Sequence, residues 1–373
     1  MISCSWRSSC KIKGMHIAQI TCYQFRLPFQ DPIWFAGRRV SERHGLLLAV
    51  AGEDGRVGWG EASPLPGYSR ESLTDAMAVA RLHATQLCAS TVDAAQQQLT
   101  PNTVGLPSVY FAYERALHAV APENAQRRRT LPLCALLSGD ADAVCAQALQ
   151  ARHAGYATVK LKVGVRPLAE DIVLVGELRR RLGAACRMRF DANQAWTLEE
   201  ALRFCDAVGD ANVEYLEEPL ADPAQLPELH ARTGLPCAVD ECLQALSACL
   251  FMGDHNTPRP DVAALRAVID AAQVLVWKPT VCMPPDCMGL SGNAPVVLSA
   301  AYESGVGTAG ILQYAAGREE DAPAPGIDTY SRLTHDVLPI RLPVETSVAD
   351  MEAIAHALQA PDAARLNEAW HVS

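Results

Sequence analysis

Three short apolar runs in this 373-residue chain each stop at a carboxylate: Arg187-Met-Arg-Phe-Asp191, Val213-Glu-Tyr-Leu-Glu217 and Cys237-Ala-Val-Asp240. The acids stand 26 and 23 residues apart, about the length of a strand, a loop, a helix and a second loop in a parallel barrel. Each therefore falls at the same end of its own strand. Three carboxylates gathered at the C-terminal mouth of a barrel repel one another unless a hard divalent cation lies between them. The spacing predicts a site for Mg2+, with Mn2+ as the alternative, held by Asp191, Glu217 and Asp240.

Two lysine positions frame the acids. In Tyr156-Ala-Thr-Val-Lys160-Leu-Lys162-Val-Gly164 the strand period of two puts Lys160 and Lys162 on one face, pointing inward if the acids do. On the other side, Val274-Leu-Val-Trp-Lys278-Pro-Thr280 is a further apolar run ending in lysine. An amine beside a cation loses affinity for its proton and can serve as a base near neutral pH. One acid at a strand end, Asp191 for example, could simply cap the next helix. Lys, Asp, Glu, Asp and Lys at successive strand ends instead point to proton-transfer chemistry.

Neighbouring polar groups divide. Glu218 alternates out of the barrel relative to Glu217 and is read as a supporting group. Arg189 and Asn193 suit substrate binding or support of the site, with a structural ion pair as the other reading of Arg189. Gly305-Val-Gly307-Thr-Ala-Gly310 matches a dinucleotide fingerprint, but comes late in a barrel pattern. It is better read as a tight turn into a helix whose backbone N–H groups face a carboxylate.

The elements that must position these groups follow from the rest of the chain. An antiparallel start is expected, with a strand over 16–26 and a hairpin of 45–53 and 57–61 about Asp54-Gly55. Phe29 to Arg39, with Trp34 and Phe35, reads as an aromatic loop. Helices are expected over 69–99 and 108–121. Beyond a boundary at 122–133, with its Arg127-Arg128-Arg129 run, strand and helix alternate, with helices over 168–182, 201–208, 226–233 and 262–272. The stretch 281–295 is too short and too rich in proline and glycine for a crossover helix. The expected class is α/β: a (β/α)7β-type TIM barrel with an α+β N-terminal capping domain and the crossover helix at 281–295 short or missing. Its parts are a disordered tail at 1–14, the capping domain at 15–125, the barrel at 126–317 and a segment at 318–373 packing back on the capping domain.

Composition narrows the partners. A formal charge of −10 argues against nucleic acid or an anionic membrane surface, so an anionic small-molecule substrate needs local positive charge. The 13 cysteines form no C-x-x-C pair and suit a reducing cytoplasm. No apolar run approaches a membrane span, and residues 1–14 lack the apolar core of a signal peptide. A monomer or weak homo-oligomer is expected.

Lys160-Leu-Lys162, Asp191-Ala-Asn193, Leu216-Glu-Glu-Pro219, Asp240-Glu241 and Lys278-Pro-Thr280 resemble the muconate lactonizing enzyme subgroup of the enolase superfamily. Within it the chain looks most like the o-succinylbenzoate synthase family, through Gly58-Trp-Gly-Glu-Ala-Ser-Pro-Leu-Pro-Gly67, Leu106-Pro-Ser108, Arg189-Phe-Asp-Ala-Asn-Gln-Ala-Trp196, Ser299 with Glu303-Ser304, and Pro325-Gly-Ile-Asp-Thr329. The resemblance implies that Asp191, Glu217 and Asp240 bind magnesium, that Lys162 removes the proton α to the substrate carboxylate, and that Lys278 steadies the enediolate. The implied reaction is loss of water from 2-succinyl-6-hydroxy-2,4-cyclohexadiene-1-carboxylate, in menaquinone synthesis. Lys160, Arg189, Ser299 and Gly326 match positions near the substrate. The stretches 249–260 and 281–295 depart from the family pattern.

Two other functions remain open at this point. Racemases of N-succinylamino acids and dipeptide epimerases need a lysine on each face of the α-carbon, which Lys162 and Lys278 also satisfy. A catalytically silent barrel acting as a binding protein is the reading from another class.

Overall fold

The computed structural model describes residues 14–35, 37–121, 128–252, 261–290, 292, 294–358 and 360–373. The expected disordered tail, apart from Gly14, lies outside the described residues, as do Pro122, Arg127 and most of the 249–260 stretch.

The chain opens with β1 (Ile17–Phe35), β2 (Arg38–Gly52) and β3 (Val57–Ala62), an antiparallel meander. Gly55 makes the β2–β3 turn at φ 84°, a conformation that favours glycine. Here the expected aromatic loop at 29–39 is corrected. β1 runs on to Phe35 and pairs with β2 through Ile33–Val40 and Trp34–Arg39, so the aromatics stand on a hairpin arm. Pairing across the arm satisfies backbone groups from Ile33 onward that an open loop would leave to solvent.

Helices Leu73–Leu87 and Pro107–Val120 cover this sheet. β3 lies so close to the second that a Cβ on Gly58 or Gly60 would stand 2.0 or 1.8 Å from the carbonyl oxygens of Ala116 and Ala112. The two glycines of the Gly58-Trp-Gly60-Glu61 motif are therefore what admits the helix.

β4 (Thr130–Pro132) leads into seven parallel strands: β5 (Cys134–Leu137), β6 (Thr158–Lys162), β7 (Arg187–Asp191), β8 (Val213–Glu217), β9 (Cys237–Val239), β10 (Val274–Trp277) and β11 (Val296–Leu298). They pair in chain order. The helix Leu168–Leu182 buries Leu174, Val175, Leu178 and Leu182 on its inner face, as its 3.6-residue period requires. Thr197 and Glu200 form a capping box on Leu198–Val208, satisfying two of that helix's free N–H groups. Between β10 and β11 the only described helical turn is the 3-10 segment Pro285–Met288, so the crossover helix is reduced as expected.

The barrel wall continues past residue 317, where the sequence placed its end. Gly326 bridges Ser299 in parallel, its N–H bonds to Leu298 O, and Pro325 O accepts from Cys134 N. The segment 324–328 thus occupies the eighth position between β11 and β5, and its proline-rich sequence hid a role that rests on three backbone bonds. Later, β12 (Val348–Asp350) pairs with β4, and β13 (Asn367–Val372) adds to the edge of β1.

Candidate active site at the barrel mouth

Inside the barrel, Tyr215, Ala238, Val274, Val276 and Val297 form an apolar plug. Period two along each strand raises the next inward residue toward the C-terminal end. From β8 that residue is Glu217, after β9 Asp240, after β10 Lys278 and after β11 Ser299. Register does the rest: Lys162 pairs with Asp191, and Asp191 with Glu217, across three adjacent strands. The acids predicted to share one end of the barrel do so, over an apolar floor.

Their charges are closely coupled. Lys160 Nζ lies 2.7 Å from both Asp191 Oδ2 and Glu217 Oε1. Lys162 Nζ lies 2.6 Å from Asp191 Oδ2 and also donates to Asn193 Oδ1. Although burial raises its proton affinity, Lys160 and Lys162 hold Asp191 well below the usual carboxylate range. Glu217 goes the other way. Burial, then the charge on Asp191, pushes it up to about 8, and its Oε2 is buried with no hydrogen-bond partner among the described residues. Such an orphaned oxygen is costly and asks for a cation.

On the far side of the mouth, Lys278 Nζ contacts Asp240 Oδ2 and the Tyr68 hydroxyl. Gln244, one helical turn after Asp240, donates 2.8 Å bonds to Asp240 Oδ1 and to the Tyr68 hydroxyl. Burial disfavours the Lys278 ammonium, but Asp240 and Tyr68 outweigh it and raise the lysine's proton affinity well above the ordinary value. The two lysines differ in access: the Lys162 side chain is 33% exposed and that of Lys278 12%.

Sequence reasoning missed Tyr68 and Glu241. Tyr68 follows the Pro64-Leu-Pro-Gly67 stretch, but nothing local ties it to Lys278, 210 residues away. Glu241 accepts a 2.8 Å bond from Asn193 Nδ2, and burial, then Asp240, pushes its carboxyl up to about 7. The acid pair Asp240-Glu241 was its only signal.

The remaining predicted residues fall in three places. Asn193 stands at the mouth beside Lys162, at φ 43°. Ser299 and Gly326 face each other across the wall, a Cβ on Gly326 lying 3.8 Å from Ser299 Oγ. Arg189 is not brought to the mouth. It is buried one layer down, 3.1 Å from both oxygens of Glu214 and 2.8 Å from Ala324 O, so the ion-pair reading describes it. Glu218 supports the site from behind, accepting the N–H groups of Asp240 and Cys242 at 2.9 and 2.7 Å.

The glycine-rich run opens the helix Gly305–Ala316 and receives a carboxylate, as its sequence suggested. That carboxylate is Glu61 of the capping sheet, 2.9 Å from Gly307 N. Among the described residues no trio of His, Cys, Asp and Glu converges as a ready-made metal cage, because lysine ammoniums lie between the acids. The donor set is nonetheless all hard oxygen, with the Glu217 Oε2 unspent, and suits a small divalent cation.

Comparison with known proteins agrees with this architecture. Residues 143–273 match the family model Enolase C-terminal domain-like, and residues 17–120 match MenC, N-terminal domain. The o-succinylbenzoate synthase of Edwardsiella ictaluri is 31% identical, over 83% of this chain and 90% of its own. The Arabidopsis thaliana protein PHYLLO, chloroplastic, is 26% identical over 88% of this chain, which spans 22% of that longer protein. A dipeptide epimerase from Enterococcus faecalis, complexed with Mg and dipeptide L-Leu-L-Tyr, superposes with TM-score 0.72 at 17% identity, covering 90% of this chain and 97% of its own. Muconate lactonizing enzyme from Pseudomonas fluorescens, complexed with muconolactone, gives TM-score 0.67 at 20% identity, covering 90% and 93%. Strand order, the row of strand-end acids and these matches converge on one assignment: the chain belongs to the o-succinylbenzoate synthase family of the enolase superfamily.

Proposed function

We propose that this enzyme removes water from 2-succinyl-6-hydroxy-2,4-cyclohexadiene-1-carboxylate to give 2-succinylbenzoate. The observation that carries the reading is the inequality of the two lysines. A racemase or epimerase needs two amines able to trade roles as base and acid. Here Lys278 is a buried ammonium fixed by Asp240 and Tyr68, whereas Lys162 stands open at the mouth. One base and one fixed cation suit a reaction in which a proton leaves and a hydroxyl departs on the same side.

In this reading Asp191, Glu217 and Asp240 hold Mg2+, and the otherwise unpartnered Glu217 Oε2 supports that role. When bound, the ion offsets the negative charge that grows on the substrate carboxylate as the α-proton leaves. Lys162 takes that proton and returns it to the departing hydroxyl, which leaves as water. Asn193 Oδ1 orients the Lys162 amine. Lys278 keeps its proton and stabilises the enediolate by charge, an interaction stronger in the transition state than in the ground state. Lys160 neutralises the excess charge of Asp191 and Glu217. Ser299 and Gly326 line the wall on the substrate side.

The test is an ultraviolet assay for aromatisation by purified protein, with magnesium and with EDTA. Metal-dependent aromatisation supports the proposal. Absence of aromatisation together with α-proton exchange of N-succinylamino acids or dipeptides would move the chain to the racemase and epimerase reading.

A further inference from the structure

Away from the mouth, a second group of buried charges lies where the capping sheet meets the barrel. Glu61, on β3, accepts from Ser304 N at 3.1 Å, from Gly307 N at 2.9 Å, and from the hydroxyls of Ser304 and Ser63. It is fully buried, and Arg43 is its nearby cation. Arg43 in turn donates to Ser63 O, to Pro64 O at 2.9 Å and across the interface to Tyr302 O at 3.0 Å. A Cβ at position 307 would stand 2.8 Å from Glu61 Oε2 and 2.7 Å from Glu303 Cβ, so the carboxylate fits only against glycine.

Both ends of this network lead to Lys278. On the capping side, Ser63 and Pro64 begin the short loop that ends at Tyr68, whose hydroxyl meets Lys278 Nζ. On the barrel side, Glu303 precedes Ser304 and accepts from Thr280 Oγ1, two residues beyond Lys278. Helix N-termini attract carboxylates through free N–H groups and the axial dipole, and a buried carboxylate with this many donors is costly to misplace.

We propose that Glu61 is a positioning residue: by seating the capping sheet on the N-terminus of the helix Gly305–Ala316, it fixes where Tyr68 meets Lys278. The kinetic arm of the test rests on the dehydration reading above. Glu61 touches no reacting atom, and its effect passes through the 63–68 loop. Removing its charge leaves the mouth's own side chains in place but loosens the partner that orients the Lys278 ammonium.

The experiment is a double-mutant cycle of Glu61→Gln with Tyr68→Phe in the full chain with magnesium, at a temperature where thermal melts show every variant folded. Glu61→Gln is expected to lower kcat about tenfold with KM within about twofold. In the Tyr68→Phe background, its further loss is expected to stay under about twofold, because the two act in series. Losses that multiply would overturn the proposal, since a merely structural role leaves the sites independent. If Glu61→Gln does not fold, Ser304→Ala, which keeps the carboxylate and removes one donor, replaces it in the cycle. Hydrogen exchange gives an arm independent of substrate: the backbone amides of Leu65, Gly67, Tyr68 and Ser69 should exchange faster in Glu61→Gln. Unchanged exchange there would overturn the proposal even if the wild-type protein aromatises nothing, an outcome that by itself removes only the assigned reaction.

Discussion

Asp191 and Glu217 sit directly opposite each other on adjacent parallel strands, and both close on the single ammonium of Lys160. Asp191 also contacts Lys162, so two lysines keep it strongly ionised against its burial, whereas burial, then the charge on Asp191, pushes Glu217 up to about 8. In the unfolded chain Glu217 ionises near 4.5. Between that value and about 8 the folded protein holds more protons than the unfolded one, so this group's stabilising contribution falls as pH rises. Asp191 acts oppositely: its contribution is present above its unfolded value of 3.8 and is lost as pH falls further. The metal-free protein should therefore melt at a lower temperature at pH 8 than at pH 6. Saturating magnesium should raise the melting temperature more at pH 8 than at pH 6, because bound metal keeps Glu217 ionised. Thermal melts in EDTA and in magnesium at both values check this, and equal shifts at the two pH values would count against Glu217 as a ligand.

Lys162→Ala should reduce aromatisation by about 10²–10⁴-fold, the range for loss of a general base. Its amine contacts Asp191 and Asn193 at an open mouth, so the melting temperature and magnesium affinity should change little. Steady-state kinetics alongside calorimetric titration of magnesium separates these effects. Turnover near that of the wild type would take the lysine out of the mechanism.

Lys278 offers a contrast between charge and basicity. Arginine stays protonated, so Lys278→Arg should retain clearly more dehydration than Lys278→Ala. A racemase relying on this position as a base would lose activity equally in both. Rates of the two variants on the cyclohexadiene substrate, and of deuterium uptake by N-succinylamino acids, distinguish the outcomes.

Two glycines should respond in opposite directions. Gly60→Ala puts a Cβ 1.8 Å from a backbone carbonyl of the Pro107–Val120 helix, and overpacking of this kind costs about 1–3 kcal/mol or more. Gly176 lies inside the Leu168–Leu182 helix with nothing within 4 Å of an added Cβ, so Gly176→Ala should stabilise by roughly 0.5–1 kcal/mol. Denaturant unfolding of both variants is the check. A neutral Gly60→Ala would mean that sheet and helix are not in this contact.

The parts of the fold read correctly in advance were those with local causes. The capping box of Thr197 and Glu200, the apolar stripe of 168–182 and the proline-broken crossover at 281–295 are each specified by neighbours a few residues apart. The row of strand-end acids was legible for a related reason: one strand-helix unit per acid translates spacing along the chain into a shared end of the barrel. The eighth wall position at 324–328 was not legible, because it owes its place to backbone pairing with distant segments. The arm at 29–35 pairs close by, through Ile33–Val40 and Trp34–Arg39, but its proline-containing run carries no alternating strand pattern.

The sequence by itself therefore determined which groups could do the chemistry, since residue type and strand period decide what faces inward. Tertiary structure alone decided how those groups share charge. It set Lys160 between two acids, sent Arg189 down to Glu214 and brought Tyr68 and Glu61 across from the capping sheet. The reason is physical: proton affinity and orientation depend on burial and on neighbours within a few ångströms, and in this chain those neighbours lie 210 residues apart for Tyr68 and Lys278 and 246 for Glu61 and Gly307.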